Sequence, residues 1–203
     1  MNKTNYDNLL TEELKKIERL DKKPTLLLHA CCAPCASAVV ERLKDYFNVT
    51  LYYFNPNIYP EAEYEKRYDN LVKLAERFAV GLIKCDYDPN EYFQKVSGLE
   101  REKEGGKRCK VCTFMRIENA CKYAKENGFD YFSTTLSISP LKDAESLNEH
   151  GRDCMERYGV KFLFADFKKK DGYKRSIELC RELKIYRQNY CGCIFARELS
   201  ENA

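Results

Sequence analysis

Short apolar runs alternate along the chain with longer segments in which apolar residues recur at helical spacing. The short runs have the length and composition of buried β-strands, and they are Thr25–Ala30, Val49–Phe54, Gly81–Cys85, Tyr131–Leu136 and Val160–Ala165. The longer segments predict helices around Thr11–Leu20 (about 7–20 in all), about 34–47, from Pro60 to about 78, Pro89–Val96, about 110–127, up to about Gly159, and about Tyr173–Leu183.

This order of elements predicts an α/β fold. Strands that alternate with helices form a mainly parallel sheet with helices on both faces. No linker or internal repeat interrupts the pattern, so the sequence predicts one α/β domain over residues 1–203. In a doubly wound sheet, ligands bind at the carboxyl ends of the strands. Cys31 follows the first predicted strand at that position.

Composition narrows the class of protein. Hydrophobic residues make up 44% and charged residues 33% of the 203 residues, which is typical of a globular protein. The segment 1–23 lacks the apolar stretch of a secretory signal, and no apolar run approaches the roughly twenty residues that span a bilayer. We therefore expect a cytoplasmic protein. In that reducing compartment, eleven cysteines indicate metal binding or redox catalysis rather than structural disulfides.

The first group of cysteines lies in the run HACCAPC, residues 29–35, between a strand and a helix. Many nucleotide-binding proteins have a glycine-rich phosphate loop at this point. Here Cys31, Cys32 and Cys35 stand in place of the glycines, which argues against ATP binding of the usual kind. Thiols at a helix N-terminus ionise readily and are ligands for soft metals.

Two further groups of cysteines lie later in the chain. Cys109 and Cys112 form a C-x-x-C whose spacing is compatible with zinc, an iron–sulfur cluster or thiol–disulfide exchange. The adjacent cysteines of the first group favour iron–sulfur over zinc. Cys191 and Cys193 flank a glycine and could form a strained, easily reduced disulfide, bind metal, or remain a free pair. The other four cysteines are predicted to be structural: Cys85, Cys121, Cys154 and Cys180.

Basic residues cluster close to these thiols. The candidates for contact with RNA are Arg108, Lys169, Lys174, Arg175 and Arg187, with tyrosines interleaved among them. Charge runs are commonly solvated faces. A net charge of +3 does not by itself indicate a nucleic-acid partner.

Several segments taken in order resemble the QueH family of epoxyqueuosine reductases. They are LLLHACCAPC (26–35), FNPNIYPEAEYEKR (54–67), RCKVCTFMR (108–116), TTLSISPLKD (134–143), DFKKKDGYKRS (166–176) and YRQNYCGCIF (186–195). The opening segment, residues 1–20, is outside the resemblance.

The resemblance implies a fold like that of the adenine-nucleotide α-hydrolase (HUP) group. It also implies a [4Fe-4S] cluster on Cys31, Cys32, Cys109 and Cys112, and a redox-active pair at Cys191 and Cys193. The reaction it implies is the two-electron reduction of epoxyqueuosine to queuosine in a tRNA anticodon loop, with electrons from an unidentified donor.

Two matters stay open at this point. An additional iron is a further hypothesis, for which Cys35 and a carboxylate are candidate ligands, Asp143 first and Asp166 second. The rival interpretations are an ATP-dependent tRNA-modifying enzyme of the same fold and a zinc-stabilised RNA-binding module. A redox enzyme that acts on a small molecule is a third.

Overall fold

A five-stranded sheet, entirely parallel, lies at the centre of the computed structural model, which describes residues 4–196. The strands are β1 (Thr25–His29), β2 (Asn48–Tyr53), β3 (Gly81–Lys84), β4 (Tyr131–Thr134) and β5 (Lys161–Phe162), and their order in the sheet is β3-β2-β1-β4-β5. The predicted doubly wound α/β class is therefore confirmed. The chain places β2 and β3 on one side of β1 and then β4 and β5 on the other side, so the direction of winding reverses at β1. Ligands are therefore expected at the carboxyl end of β1.

Helices cover both faces of the sheet. They are α1 (Tyr6–Ile17), α2 (Ala33–Leu43), α3 (Glu61–Phe78), α4 (Pro89–Lys95), α5 (Lys107–Glu126), α6 (Ala144–Tyr158) and α7 (Gly172–Glu182), with a 3-10 helix at Thr135–Ile138. Asp88 caps α4, because its side chain accepts a hydrogen bond from the backbone N–H of Asn90 at 2.9 Å.

Strand side chains divide between two cores because successive residues of a strand point to opposite faces. Leu26 and Leu28 of β1 pack with apolar residues of α1, α2, α3 and α7 on one face. Leu27, between them, packs on the other face, where α4, α5 and α6 contribute Tyr92, Cys121 and Cys154 among others. Cys121, Cys154 and Cys180 are buried, and Cys85 is half-buried.

Several predicted boundaries differ from the structure. The fifth strand, predicted over Val160–Ala165, covers only Lys161–Phe162, and the second helix, predicted to reach about residue 47, ends at Leu43. The fourth strand was expected to reach Leu136, but it ends at Thr134, because the Thr134 hydroxyl accepts the backbone N–H of Leu136 and starts the 3-10 helix. Helix α5 was expected near residue 110, but it begins at Lys107 after Gly106. Both cysteines of the C-x-x-C, Cys109 and Cys112, are therefore inside the first turns of the helix.

Within the described range 4–196, no helix combines the length and apolar character that a bilayer crossing requires.

Candidate active site

Three thiols meet where β1 ends and α2 begins. Cys32 is the N-cap residue of α2, and Pro34 fixes the first turn after it. The sulfurs of Cys31 and Cys32 lie 3.6 Å apart, and all three sulfurs of Cys31, Cys32 and Cys35 are within 4.8 Å of one another. In the part of the chain that the structure describes, this is the one group of three or more potential metal ligands found so close together.

The thiols of this group influence one another. Hydrogen bonding to Cys32 raises the pKa of the Cys31 thiol to about 11. Burial opposes ionisation of Cys32, but hydrogen bonds from Cys31 and Cys35 and the charge of Arg67 hold its pKa well below the ordinary value. Hydrogen bonds to Cys31 and Cys32 raise the pKa of Cys35. Of the three thiols, Cys32 is therefore the one whose ionised form is favoured, and the Gln188 amide also donates a hydrogen bond to its sulfur at 2.8 Å.

The second group of thiols lies on α5. Residues three apart on a helix share a face, so Cys109 and Cys112 point the same way. The Cys109 sulfur accepts a hydrogen bond from the backbone N–H of Gly105 at 3.3 Å. Cys112 is buried in the same apolar cluster as Cys31 and Cys32. Neither Cys109 nor Cys112 belongs to the group of mutually close sulfurs, in which the third member is Cys35.

The third group lies against the loop that follows β2. Gly192 has a φ of +101°, a conformation that glycine adopts readily, and its carbonyl accepts the backbone N–H of Tyr59 at 2.8 Å. Arg67 donates a hydrogen bond to the Cys191 carbonyl at 3.1 Å. Cys191 and Cys193 are both free thiols, as are the other nine cysteines. A disulfide form of this pair therefore finds no support in the structure.

A cavity of about 450 Å³ opens onto the first and third groups of thiols. Its wall includes Cys31, Cys35 and Cys191 together with the apolar side chains of Leu136 and Ile138. Its charged and polar side chains are Arg67, Glu104, Arg116, Lys142, Ser139, Ser176, Tyr173, Arg187, Gln188, Asn189 and Tyr190. Cations therefore outnumber the single described carboxylate of the wall, Glu104, which indicates a ligand that carries negative charge or develops it.

His29, although adjacent to the thiols in sequence, serves the scaffold. Its Nε2 lies 3.1 Å from the Phe54 carbonyl, to which it can only donate, and its Nδ1 accepts from the Thr134 hydroxyl at 3.0 Å. Burial and the charge of Arg116 lower the pKa of His29 to about 4, so the ring is neutral at pH 7. The ring thereby ties the ends of β1, β2 and β4 together.

The two candidate carboxylates border a different cavity. Asp143 and Asp166 line a space of about 600 Å³ beside the start of α1. Asp143 caps α6 by accepting the backbone N–H groups of Glu145 and Ser146. Asp166 forms an ion pair with Lys168 at 3.2 Å. The structure therefore does not bring either carboxylate to the wall that contains Cys31 and Cys35.

The candidate RNA-binding residues have different environments. Lys169, Lys174 and Arg187 are exposed. Arg175 forms ion pairs with Glu41 and Glu182, both at 2.8 Å. Arg108 is 1% exposed, and its Nη1 donates to the backbone carbonyls of Leu99, Glu100 and Glu102.

Three residues of the site were not singled out from the sequence. Arg116 lines the cavity, Gln188 contacts Cys32, and the hydroxyl of Tyr92 lies 3.1 Å from the sulfur of Cys193. A signal existed for Arg116, because it follows Cys112 by four residues on the same helical face. No local pattern marked Tyr92 or Gln188.

Comparison with known proteins agrees with the family resemblance. The family model described as "Epoxyqueuosine reductase QueH" matches residues 26–199. The curated protein "Epoxyqueuosine reductase QueH" of Streptococcus pyogenes is 41% identical over 97% of this chain and 80% of its own length. The protein of the same name from Staphylococcus epidermidis is 42% identical over 96% of this chain and 85% of its own length. A coverage of 97% extends the likeness into α1.

A solved structure has the same fold at low sequence identity. It is the U34-tRNA thiolase NcsA from Methanococcus maripaludis with its [4Fe-4S] cluster, at a TM-score of 0.54 and 15% identity, covering 96% of this chain and 72% of that one. At this identity the likeness concerns the fold alone.

Proposed function

Because the chain belongs to the QueH family of epoxyqueuosine reductases, we propose that it reduces epoxyqueuosine to queuosine within the anticodon loop of a tRNA. Family membership makes the protein an oxidoreductase. The observation that carries the proposal for this site is a cavity of about 450 Å³ whose wall contains Cys31, Cys35 and Cys191. An epoxide bound in this cavity would lie next to redox-capable thiols and to the basic side chains of the wall.

The reaction is a two-electron deoxygenation. Two carbon–oxygen bonds break, one carbon–carbon π bond forms, and the oxygen leaves as water after accepting two electrons and two protons. The site must therefore supply two electrons, bind the oxygen as it leaves, and limit the access of bulk water. Leu136 and Ile138 contribute the apolar part of the wall, which supports the last requirement.

We infer that Cys31, Cys32, Cys109 and Cys112 hold a [4Fe-4S] cluster, the ligand set that the family resemblance implies. Thiolates are the ligands that such clusters take in proteins. The close sulfurs of Cys31 and Cys32 and the burial of Cys112 support this set, and the charges of Arg67 and Arg116 would offset thiolate charge. The cluster, when bound, supplies electrons one at a time.

An additional iron on Cys35 remains a hypothesis about a second site. Such an ion would need oxygen ligands beside the thiol. Glu104 is the described carboxylate in the wall of this cavity, whereas Asp143 and Asp166 line the other one. Glu104 therefore becomes the first candidate for that role.

The Cys191–Cys193 dithiol is the proposed store for both electrons that the reaction consumes. Oxidation of a dithiol to a disulfide releases two electrons and two protons, the number that one epoxide consumes. Cys191 lines the cavity, and Cys193 lies buried next to Tyr92. An external reductant must then return the pair to the dithiol state.

Side chains around the mouth of the cavity are proposed to bind the RNA. A modified base must be turned out of its loop to reach the thiols, and such bases commonly stack on aromatic side chains. Tyr173 and Tyr190 are in the cavity wall. Arg187 is exposed and lines this cavity, and the exposed Lys169 and Lys174 are further candidates for contact with the flanking phosphates.

The test is conversion of the substrate under anaerobic conditions. Protein reconstituted with iron and sulfide is incubated with a reductant and tRNA bearing epoxyqueuosine, and the digested nucleosides are identified by mass spectrometry. Queuosine is expected, and its formation should not require ATP. Unchanged epoxide with a fully loaded cluster would refute the activity, and colourless protein that contains zinc would favour an RNA-binding module.

A paired comparison tests the dithiol. Cys191→Ser should abolish turnover while iron content and tRNA affinity stay at the wild-type level. Cys154→Ser is the matched control, because Cys154 is a buried thiol of α6 that does not line the cavity. Full activity of Cys191→Ser would remove the dithiol from the mechanism.

A further inference from the structure

Three arginines are among the most deeply buried large side chains of the protein. Arg67, Arg108 and Arg116 are each 1% exposed. Burial of a charge is costly unless the charge is paired or well hydrogen-bonded. Arg67 is paired with Glu63 at 2.6 Å. The Nη1 of Arg108 donates to three backbone carbonyls, whereas its Nε and Nη2 have no hydrogen-bond partner among the described residues, and Arg108 does not line the cavity.

Arg116 lines the cavity but has no carboxylate partner such as the one that Arg67 has. Its Nε donates to the Cys112 carbonyl at 3.4 Å and its Nη1 donates to the Asn55 side-chain oxygen at 3.3 Å, both long hydrogen bonds to neutral acceptors. Within residues 4–196, no carboxylate forms an ion pair with it. Of the two buried arginines in the cavity wall, Arg67 and Arg116, only Arg116 therefore brings a positive charge without a carboxylate partner.

The surroundings hold this guanidinium in place. Asn55 follows β2, and its side-chain N–H group donates to the Ala30 carbonyl at 2.9 Å, which leaves its oxygen to accept from Arg116. Arg116 also lies one helical turn after Cys112 on α5. Residues at the ends of β1 and β2, together with α5, therefore fix the position of the guanidinium before a ligand binds. Electrostatic stabilisation of a transition state requires such a preorganised donor.

We propose that Arg116 is a catalytic residue whose guanidinium donates a hydrogen bond to the epoxide oxygen of the substrate. This inference rests on the proposed reduction of epoxyqueuosine. As each carbon–oxygen bond breaks, electrons flow to the oxygen and negative charge develops there. A guanidinium stays protonated, so Arg116 stabilises that charge without giving up its proton. The two protons that complete the water come from the Cys191–Cys193 dithiol as it is oxidised to the disulfide.

A purely electrostatic role toward the thiols is the competing explanation. The sulfurs of Cys31, Cys112 and Cys191 are close enough to influence Arg116 electrostatically. If Arg116 only offsets their charge, its loss should lower iron content or shift the cluster's reduction potential. It should not change how the protein distinguishes an epoxide from an alkene.

The experiment compares two tRNAs that differ by one oxygen. The affinities of reconstituted, non-reduced protein are measured for tRNA bearing epoxyqueuosine and for tRNA bearing queuosine. We expect the wild-type protein to prefer the epoxide about tenfold or more, as one charged hydrogen bond allows. Arg116→Gln should abolish this preference, leave the affinity for the queuosine tRNA unchanged, and lower kcat about a hundredfold.

Arg116→Lys serves as the second variant if the glutamine variant does not fold. It retains the charge with a different geometry, so it should keep wild-type iron content and lose most of the epoxide preference. A wild-type preference that survives in either folded variant would overturn the proposal, as would equal wild-type affinities for the two tRNAs. Failure of the wild-type protein to reduce the epoxide is a separate result, which would refute the proposed function itself.

Discussion

The hydroxyl of Tyr92 lies 3.1 Å from the sulfur of Cys193, and both side chains are buried. A phenol is a stronger hydrogen-bond donor than a thiol, so Tyr92 donates to the sulfur. Tyr92 reaches this position from α4, about a hundred residues before Cys193 in the chain. The contact places a buried hydrogen-bond donor on one member of the proposed redox pair.

Tyr92→Phe should therefore make the Cys191–Cys193 dithiol easier to oxidise. The hydroxyl stabilises the reduced sulfur, and loss of one hydrogen bond corresponds to about a two- to tenfold change in the oxidised fraction. The measurement is the ratio of disulfide to dithiol at fixed thiol buffer composition, read by alkylation and mass spectrometry. Tyr87→Phe is the control, because its hydroxyl donates to the Ile58 carbonyl instead. An unchanged ratio in Tyr92→Phe would show that this contact does not affect the pair.

Iron analysis separates the proposed ligands from Cys35. If Cys31, Cys32, Cys109 and Cys112 hold the cluster, Cys32→Ala should lose most of the bound iron and the brown colour. Cys35→Ala should keep about four iron atoms per chain, the content of one cubane cluster. Cys121→Ala is the control for removal of a buried thiol. Equal loss of iron from the Cys35 and Cys32 variants would make Cys35 a ligand.

Two neighbouring basic residues of α7 should differ in their effect on RNA binding. Lys174 is exposed, so Lys174→Ala should weaken tRNA binding and reduce the slope of log affinity against log salt by about one. The Arg175 guanidinium is engaged by Glu41 and Glu182. Arg175→Ala should therefore lower Tm and leave the salt slope unchanged. A slope that falls equally in both variants would place Arg175 on the RNA.

Gly192→Ala should destabilise the segment between the two redox cysteines. A Cβ atom there would lie 2.8 Å from the Arg67 Nη1 and 3.1 Å from the Ile58 Cγ1, at a φ of +101°. Gly128→Ala isolates the backbone effect, because Gly128 has a φ of +69° and nothing within 4 Å of the added carbon.

We expect the free energy of unfolding to fall by about 1–2 kcal/mol in Gly128→Ala from backbone strain alone. The fall should be larger in Gly192→Ala, where the clash adds to it. Urea denaturation measures both values. A smaller loss in Gly192→Ala than in Gly128→Ala would mean that Arg67 and Ile58 move aside freely.

Element types were predictable because they depend on neighbours along the chain. The pattern of apolar residues identified all five strands, and the helix predicted over Pro89–Val96 is α4. The ends of the strands and helices were harder to predict where a single side chain sets them. The Thr134 hydroxyl ends β4 by accepting the backbone N–H of Leu136, and the spacing of apolar residues does not indicate this hydrogen bond.

The sequence by itself determined the alternation of strands and helices, the thiol-rich turn without glycine at residues 29–35, and the family resemblance, because spacing and residue type are local properties. Only the tertiary structure decided that Cys35 joins Cys31 and Cys32, and that Asp143 and Asp166 border another cavity. It alone placed the charge of Arg116 in the cavity wall without a carboxylate partner among the described residues. These relationships are distances between residues far apart in the chain, and the packing of helices on the sheet sets such distances.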